Sequence, residues 1–496
     1  MELKILIKNT SLLMSTKVAQ FFAGILRSKI SAIYLGTGGV GIFSQLTFLS
    51  EKMSLFTTLS MSEAVVKQIA ENSNKAEVKE FVCSSLKVYI TLVFSFMFVS
   101  IALLYFFSEK LTSYVFGDIK YLQYFYIALF SFPLLLLNSI PFSILKGFKN
   151  IKAISRARLG IIAVNTILFI PLVIIYKLRG AVIFVPLSYL VTLSFNYLYT
   201  RNAYLKRLNI GIVEILKSPF NNAFIKEMII FSSFGLIVNF WIIISEFICR
   251  SIVVTQIGID SIGLYSPIIA WAGLFTGFLL PTFNTYLFPR FCEAKSKKEV
   301  SGILNDSIRL GTLLLFPLLF LGIPYRNIFI RLLYSNEFID AAKYLPFHFL
   351  GVAFFVWWFS FTQSMTPTGY IKQHGFISIL FYTLGIMIVY FLVPKFGLYG
   401  YMLKYIVSPF IFFFVYYFFL KQKHDFRFEN KNLILMIYLL LGASCMIIID
   451  AFNNGFASIN YYISPILLAL TFIFLTKNEK TFILTEVKHI YGKIIK

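Results

Sequence analysis

The sequence predicts an all-α polytopic membrane protein of about fourteen transmembrane helices, arranged as two like-oriented six-helix bundles around a central cavity plus two C-terminal helices. Three observations carry that expectation. Of 496 residues, 58% are hydrophobic and only 14% charged, and mean hydropathy is +0.80, which leaves too little polar surface to coat a soluble globule. Apolar runs of the roughly 20 residues that a bilayer span requires fill nearly the whole chain. The chain also matches itself at a fixed offset, the mark of a duplicated unit.

Taken in order, the apolar runs place spans at about 9–34, 40–66, 81–107, 119–144, 157–176, 180–200 and 228–256, then at about 261–288, 303–323, 344–366, 375–394, 397–420, 433–450 and 459–476. The first begins Met1-Glu2-Leu3-Lys4 and holds Lys17 and Arg27, unlike the unbroken apolar core of a secretory signal, so it is expected to stay in the mature protein. Gly36-Thr37-Gly38-Gly39-Val40-Gly41 follows it. Glycines in that number resemble a phosphate loop, but the run joins two membrane helices rather than a strand and a helix and reads as a tight turn.

The loops set the orientation. Lys+Arg 45 against Asp+Glu 22 gives a net charge of +23, and one alternate set of loops holds most of it. That set carries Lys67, Lys75, Lys79; Lys146, Lys149, Lys152, Arg156, Arg158; Arg201, Lys206, Arg207, Lys217; Arg290, Lys295, Lys297, Lys298; and Lys421, Lys423, Arg427, Lys431. The other set is nearly bare. Positive residues favour the cytoplasmic side, so both termini are expected there, and nucleic acid is not needed to explain the charge. Cys83, Cys249, Cys292 and Cys445 stand in apolar surroundings without metal or disulfide spacing and read as packing residues.

An offset of 258 − 36 = 222 lays Gly36 on Gly258, Gly41 on Gly263 and Ser44 on Ser266 without a gap. It also pairs Phe56 with Phe278, Glu71 with Glu293, Lys75 with Lys297, Glu77 with Glu299 and Val78 with Val300. These eight identities exceed the about two or three that chance would supply, so residues 1–222 and 223–430 are read as repeated six-helix units, with 431–496 appended. An even number of helices per unit places both copies the same way up.

Polar residues inside spans mark faces shielded from lipid. In the first span Thr10, Lys17, Gln20, Gly24, Arg27 and Ser31 recur at threes and fours and so share a face. The second span adds Ser44, Thr47, Glu51, Ser54 and Thr58, with Lys52 beside them; the seventh adds Ser232, Asn239, Glu246 and Arg250; Lys404 lies in the twelfth. Glu246 and Arg250, spaced i, i+4, have a bland reading as a self-neutralising pair. Lys17 and Arg27 have no acidic partner in their own helix, and burying unpaired cations in lipid costs several kcal/mol, which argues for a water-filled cavity that takes an anion. Arginine's planar fork suits a phosphate. The cavity cations expected from these stripes are Lys17, Arg27, Arg250 and Lys404, with Gln20, Glu51, Lys52, Asn239 and Glu246 as polar or coupling residues. Lys29, near the outer end of its span, reads as a side chain reaching for the interface. No nucleotide-binding, metalloprotease or serine-hydrolase motif occurs, and His348, His374, His424 and His489 share no metal spacing, so neither enzyme chemistry nor a cofactor nor a metal is expected.

With these features the chain resembles the polysaccharide-transporter branch of the multidrug/oligosaccharidyl-lipid/polysaccharide exporter superfamily, and within it the Wzx-type O-antigen flippases. The match rests on Tyr34-Leu35-Gly36, Gly39-Val40-Gly41-Ile42-Phe43, the copy from Gly258 to Tyr265, and Ile330-Arg331-Leu332-Leu333-Tyr334 with Phe338, Ala341, Ala342 and Leu345. It covers roughly residues 1 to 430. The resemblance implies two bundles whose basic cavity holds the diphosphate of an undecaprenyl-linked oligosaccharide. It further implies alternating access between the leaflets of a bacterial inner membrane, driven by H+ or Na+. Its implied partners are membrane lipid and the polysaccharide polymerase and chain-length proteins of the same pathway. Fourteen spans rather than twelve is similar to the related lipid II flippases. A multidrug or cation exporter of the same superfamily would want an anionic, aromatic cavity, against the basic stripe. A membrane-embedded polymerase or ligase would want a large outer loop, whereas the longest outer segment here, near 324–343, has about 20 residues.

Overall fold

The computed structural model describes residues 2–58, 61–73, 75, 77–220, 222–452, 458–477 and 479–481, and all the regular structure among them is helical. In lipid every backbone N–H and C=O must be paired within the protein, and a helix does this within one segment. The chain opens with α1 (Glu2–Thr58) and the short α2 (Met61–Asn72), followed by α3 (Val78–Phe106), α4 (Ser108–Phe116), α5 (Leu122–Gly147), α6 (Ile151–Thr200) and the single-turn α7 (Ile212–Lys217). Then come α8 (Asn222–Ile257), α9 (Ile259–Glu293), α10 (Lys297–Leu333), α11 (Leu345–Met365), α12 (Ile371–Phe396), α13 (Leu398–His424), α14 (Asn430–Phe452) and α15 (Ser458–Leu470).

Two of these are double passes. At 1.5 Å per residue the 50 residues of α6 would extend about 75 Å, far beyond a hydrocarbon core of about 30 Å. Its backbone breaks at Lys177 (φ 50°, ψ −128°), and that of α1 breaks at Gly36 (φ 66°, ψ −173°). Among the described residues ten helical stretches are long and apolar enough to cross a membrane, and Ser15–Lys52 and Ile151–Leu205 each have the length for two passes. With α9 and the shorter apolar stretch Ile459–Phe474, every expected span position is occupied by helix. Helix is described to Thr58 and again from Met61, where α2 buries Met61, Ala64, Val65 and Ile69 and its last turn passes the expected end near residue 66 to reach Asn72.

The helices pack into two compact units. One gathers Met1–Pro267, Leu332–Phe338 and Gly375–Tyr401; the other gathers Ile268–Arg331, Ile339–His374 and Met402–Lys496. In the first, Val65, Ile69, Leu86, Tyr89, Phe132, Leu136, Ile144 and Phe224 form one contiguous apolar core, and a second joins Leu46, Phe116, Phe125 and Val182. The Gly36 break has a counterpart here: Gly258 (φ 87°) separates α8 from α9, a backbone sign that side chains rarely adopt. Just beyond the two breaks, Gly41 lies against the Ile259 carbonyl and Gly263 against the Thr37 carbonyl, each so close that a Cβ would collide with backbone. The two contacts are reciprocal, since 37 + 222 = 259 and 41 + 222 = 263. Thr37 Oγ1 also donates to Asp260 at 2.7 Å.

In the second unit α10 is the central strut. Trp357 is fully buried and its Nε1 donates to Thr312 Oγ1 at 2.9 Å. Asn305 donates to the Arg427 carbonyl and accepts from the Glu429 N–H. Arg309 makes a two-pronged bond to Glu479, both prongs 2.7 Å, and donates to the Phe474 carbonyl. Seventeen residues further along, Arg326 pairs with Asp450 at 2.6 Å, and Asp450 accepts from Asn460 at 2.7 Å. At about 25 Å apart along the helix, these two arginines fasten α14 and the α15 region to α10 near both ends of a span.

Candidate functional site

The first unit contains a cavity of about 270 Å³ lined by Gly24, Arg27, Ser28, Ser31, Val40, Phe43, Ser44, Thr47, Phe169, Phe184, Ser266 and Tyr334. Gly24, Arg27, Ser28 and Ser31 come from the first half of α1 and cover about one face of it, as spacings of three and four require. Ser44 and Thr47 come from the second half, past the Gly36 break, so the two halves of α1 each contribute to the site. Ser266, from α9, is the residue that the 222 offset pairs with Ser44, so the two related hydroxyls open into one cavity.

One wall is polar and the other aromatic. Phe43 and Phe169 stand 5.7 Å apart between ring centroids, and Phe184 meets Phe169 edge-on at 4.8 Å. Tyr334 directly follows the C-terminal end of α10 and is held from α1. Lys29 Nζ donates to its carbonyl at 2.5 Å, and its hydroxyl bonds Ser28. The reading of Lys29 as a side chain reaching for the interface is thereby corrected: its ammonium is spent on fixing the cavity wall, because a backbone carbonyl lies within reach.

Arg27 is the cation in this lining. Its Nε donates to the Ala23 carbonyl one turn back at 3.3 Å, and among the described residues it has no carboxylate within ion-pair distance. A half-buried guanidinium without a counter-charge keeps donors free for an anion or water in the cavity.

Arg250 is arranged differently. It is 7% exposed and does not belong to the cavity lining. Its Nε lies 3.4 Å from Glu246, its Nη1 donates to Gln45 at 2.9 Å, and its guanidinium sits 4.2 Å over the Phe48 ring. Gln45 in turn donates to the Val115 carbonyl at 2.8 Å, and the Tyr401 hydroxyl reaches Glu246 at 3.5 Å. Glu51, one turn beyond Thr47, lies within electrostatic reach of both Lys52 and Arg250. The pairing with Glu246 is therefore real, and it is one part of a buried network that joins α1, α8 and Tyr401.

The remaining candidates fall outside both clusters. Lys17, Gln20 and Asn239 are exposed, and Lys52 is half-buried with its ammonium 6.0 Å from the Phe48 ring. Lys404 belongs to the second unit, where it is 5% exposed and lies 5.2 Å from the Tyr405 ring. The side chains of Thr10, Ser54, Thr58 and Ser232 lie outside the described residues. Of the residues on the polar stripes, Gly24, Arg27, Ser31, Ser44 and Thr47 line this cavity. The stripes did not name Ser28, nor Phe169, Phe184 and Tyr334, aromatic residues in apolar runs that no pattern of polar exceptions can single out.

Residues 6–295 match a family model described as polysaccharide biosynthesis protein. No curated protein matches the chain. Among solved structures, an inward-facing multidrug resistance MATE family transporter of the MOP superfamily is 12% identical, with a TM-score of 0.71 over 83% of this chain and 94% of its own. Lipid II flippase MurJ in an inward closed conformation is 18% identical, with a TM-score of 0.65 over 99% of this chain and 100% of its own. A MOP superfamily transporter from Pyrococcus furiosus, described by a reverse polarity of its binding pocket, is 13% identical, with a TM-score of 0.52 over 83% and 93%. Identities this low establish a shared fold: that of a multi-pass membrane transporter.

Proposed function

The chain belongs to the polysaccharide biosynthesis protein family, and from that premise we propose that it is a flippase for a polyprenyl-diphosphate-linked oligosaccharide, such as an O-antigen repeat unit. In this reading the chain has both termini in the cytoplasm of a bacterial inner membrane and carries its substrate to the outer leaflet by alternating access. Residues 1–222 and 223–430 would be the two moving bundles, with 431–496 as an appended pair. The observation that carries the reading is the cavity of Arg27, whose uncompensated guanidinium stands among the hydroxyls of Ser28, Ser31, Ser44, Thr47 and Ser266. Guanidinium and hydroxyl donors suit a diphosphate and sugar hydroxyls, and the Phe43, Phe169 and Phe184 wall suits the faces of sugar rings.

The Arg250–Glu246 network serves as the coupling element. Protonation of Glu246 would free Arg250 from its partner and alter how α8 is held to α1, which ties helix position to an ion gradient. Glu51 is a second carboxylate in reach. Lys17 and Lys404 would meet the anion in other states of the cycle.

The alternative of a multidrug exporter shares the fold, but a lining whose one charge is an arginine repels cationic drugs. The test is reconstitution in proteoliposomes with a labelled polyprenyl-diphosphate oligosaccharide, reading leaflet exchange with and without a proton or sodium gradient. Exchange that an imposed gradient accelerates and that Arg27→Ala removes supports the proposal. Lengthening or transfer of the glycan without exchange would replace it with an enzyme of the pathway, and transport of an amphiphilic cation alone would replace the substrate.

A further inference from the structure

The connection between α6 and α8 carries an apolar surface on the side with the basic loops. After Thr200 the chain makes a wide helical turn over Arg201–Leu205, then α7, then an extended approach to α8. Ile210 and Phe224 are buried in the first unit's core, and Ile215 packs against the same core, so the segment is pinned before, within and after α7. The opposite face has no such partner: Ile212 is 77% exposed, Leu216 64%, Val213 56% and Phe220 45%. Arg201, Lys206, Arg207 and Lys217 surround these residues and are exposed as well.

Lys87 fixes the depth of the segment. Its ammonium donates to the carbonyls of Leu216 and Ser218, at 2.8 and 2.7 Å, and lies 5.4 Å from the Phe220 ring. Lys87 stands nine residues into α3, about 13 Å from its start. The 29 residues of α3 extend about 43 Å, so some 13 Å must project from a hydrocarbon core of about 30 Å. The Phe96–Phe106 end of α3 is apolar while Lys79, Glu80 and Lys87 lie at the other, so placing the projection at the Val78 end puts Lys87, and α7 with it, where α3 enters the acyl chains. A single-turn helix at that level, apolar outward and ringed by cations, has the chemistry of an interfacial anchor.

We propose that the segment from Gly211 to Phe220 is a binding site for anionic phospholipid, in which Ile212, Val213, Leu216 and Phe220 enter the acyl-chain boundary while Lys206, Arg207 and Lys217 take the headgroup phosphates. The lipid-facing belt of α6, where Ile167 and Ile175 are 68% and 66% exposed, is the internal standard for contact with bulk lipid. The test uses the full chain in proteoliposomes doped with either phosphatidylglycerol or phosphatidylcholine carrying a photoreactive diazirine in its acyl chain, with labelled peptides mapped by mass spectrometry. The expected result is labelling of residues 211–220 that is at least about fivefold stronger from phosphatidylglycerol, while α6 labels equally from both. The triple substitution Lys206→Gln, Arg207→Gln, Lys217→Gln should reduce labelling of the segment to the phosphatidylcholine level and leave α6 unchanged. Labelled α6 beside an unlabelled 211–220 segment would overturn the site. Equal labelling of the segment by both lipids would overturn its selectivity for anionic headgroups.

Discussion

Arg27 and Arg250 are both arginines inside membrane helices, yet their surroundings give them different work. Arg27 faces a cavity with hydroxyls around it, so its charge is available. Replacing it with alanine should abolish leaflet exchange, lysine should retain a fraction because it keeps the charge without the fork, and neither should shift the melting temperature of the purified protein. Arg250 is enclosed by Glu246, Gln45 and Phe48. Arg250→Ala removes the guanidinium that balances Glu246, a change that costs about 3–5 kcal/mol where a buried pair is broken. That variant should lose thermal stability together with transport, and an unshifted melting curve would count against the network. The sequence distinguished the two only halfway. The i, i+4 spacing announced Glu246 as a partner for Arg250, but Gln45 lies 205 residues away and no periodicity within a helix could bring it in.

At the scale of elements, the long spans were legible because roughly 20 apolar residues in a row have few alternatives to a membrane helix. The short helices α2, α4 and α7 were not: each is below that length, and while α2 and α4 bury Val65, Ile69, Val115 and Phe116, α7 buries none of its residues and only Ile215 packs against the core. The turns were legible in part. Glycines marked the break after the first span, but Lys177, which adopts a positive φ at the break in α6, carries no such mark. The reciprocal approach of Gly41 and Gly263 to opposing backbone leaves no room for a side chain. Gly263→Val should therefore push α9 off α1 and lower the melting temperature, whereas valine at Gly273, where a Cβ meets nothing within 4 Å, should be tolerated. The tail has its own titration. The Arg309 hydrogen bonds, helped by Thr476, hold the Glu479 carboxyl down to about 2, below its ordinary value near 4.5. A lowered carboxylate stabilises the docked state above its ordinary range and loses that contribution as pH falls from about 4.5 toward 2. Protease cleavage after Lys477 and Lys480 should thus stay slow from pH 8 to 5 and accelerate below about pH 4, with Glu479→Gln cleaved quickly throughout.

For the molecule as a whole, the 222 offset pairs eight identical residues, and three of those pairs have a structural counterpart: Gly36 and Gly258 each stand at a positive-φ break, Gly41 and Gly263 are in mutual contact, and Ser44 and Ser266 line one cavity. The place of the last two helices was not readable, because the carboxylates that fasten them answer arginines more than a hundred residues upstream. Asp450→Ala leaves Arg326 unpaired where it is 9% exposed, and should cost about 3–5 kcal/mol in a reversible unfolding assay, with Asp450→Asn intermediate. The same fastening sets a timetable for biosynthesis. Asp450 and Glu479 follow their arginines by 124 and 170 residues, so at about 5–20 residues per second α10 waits roughly 6 to 34 seconds for its counter-charges to be synthesised. During that interval the nascent chain holds two guanidinium groups without the carboxylates that balance them in the finished protein. Completion of the last helical pair is therefore the event that gives α10 its two counter-charges.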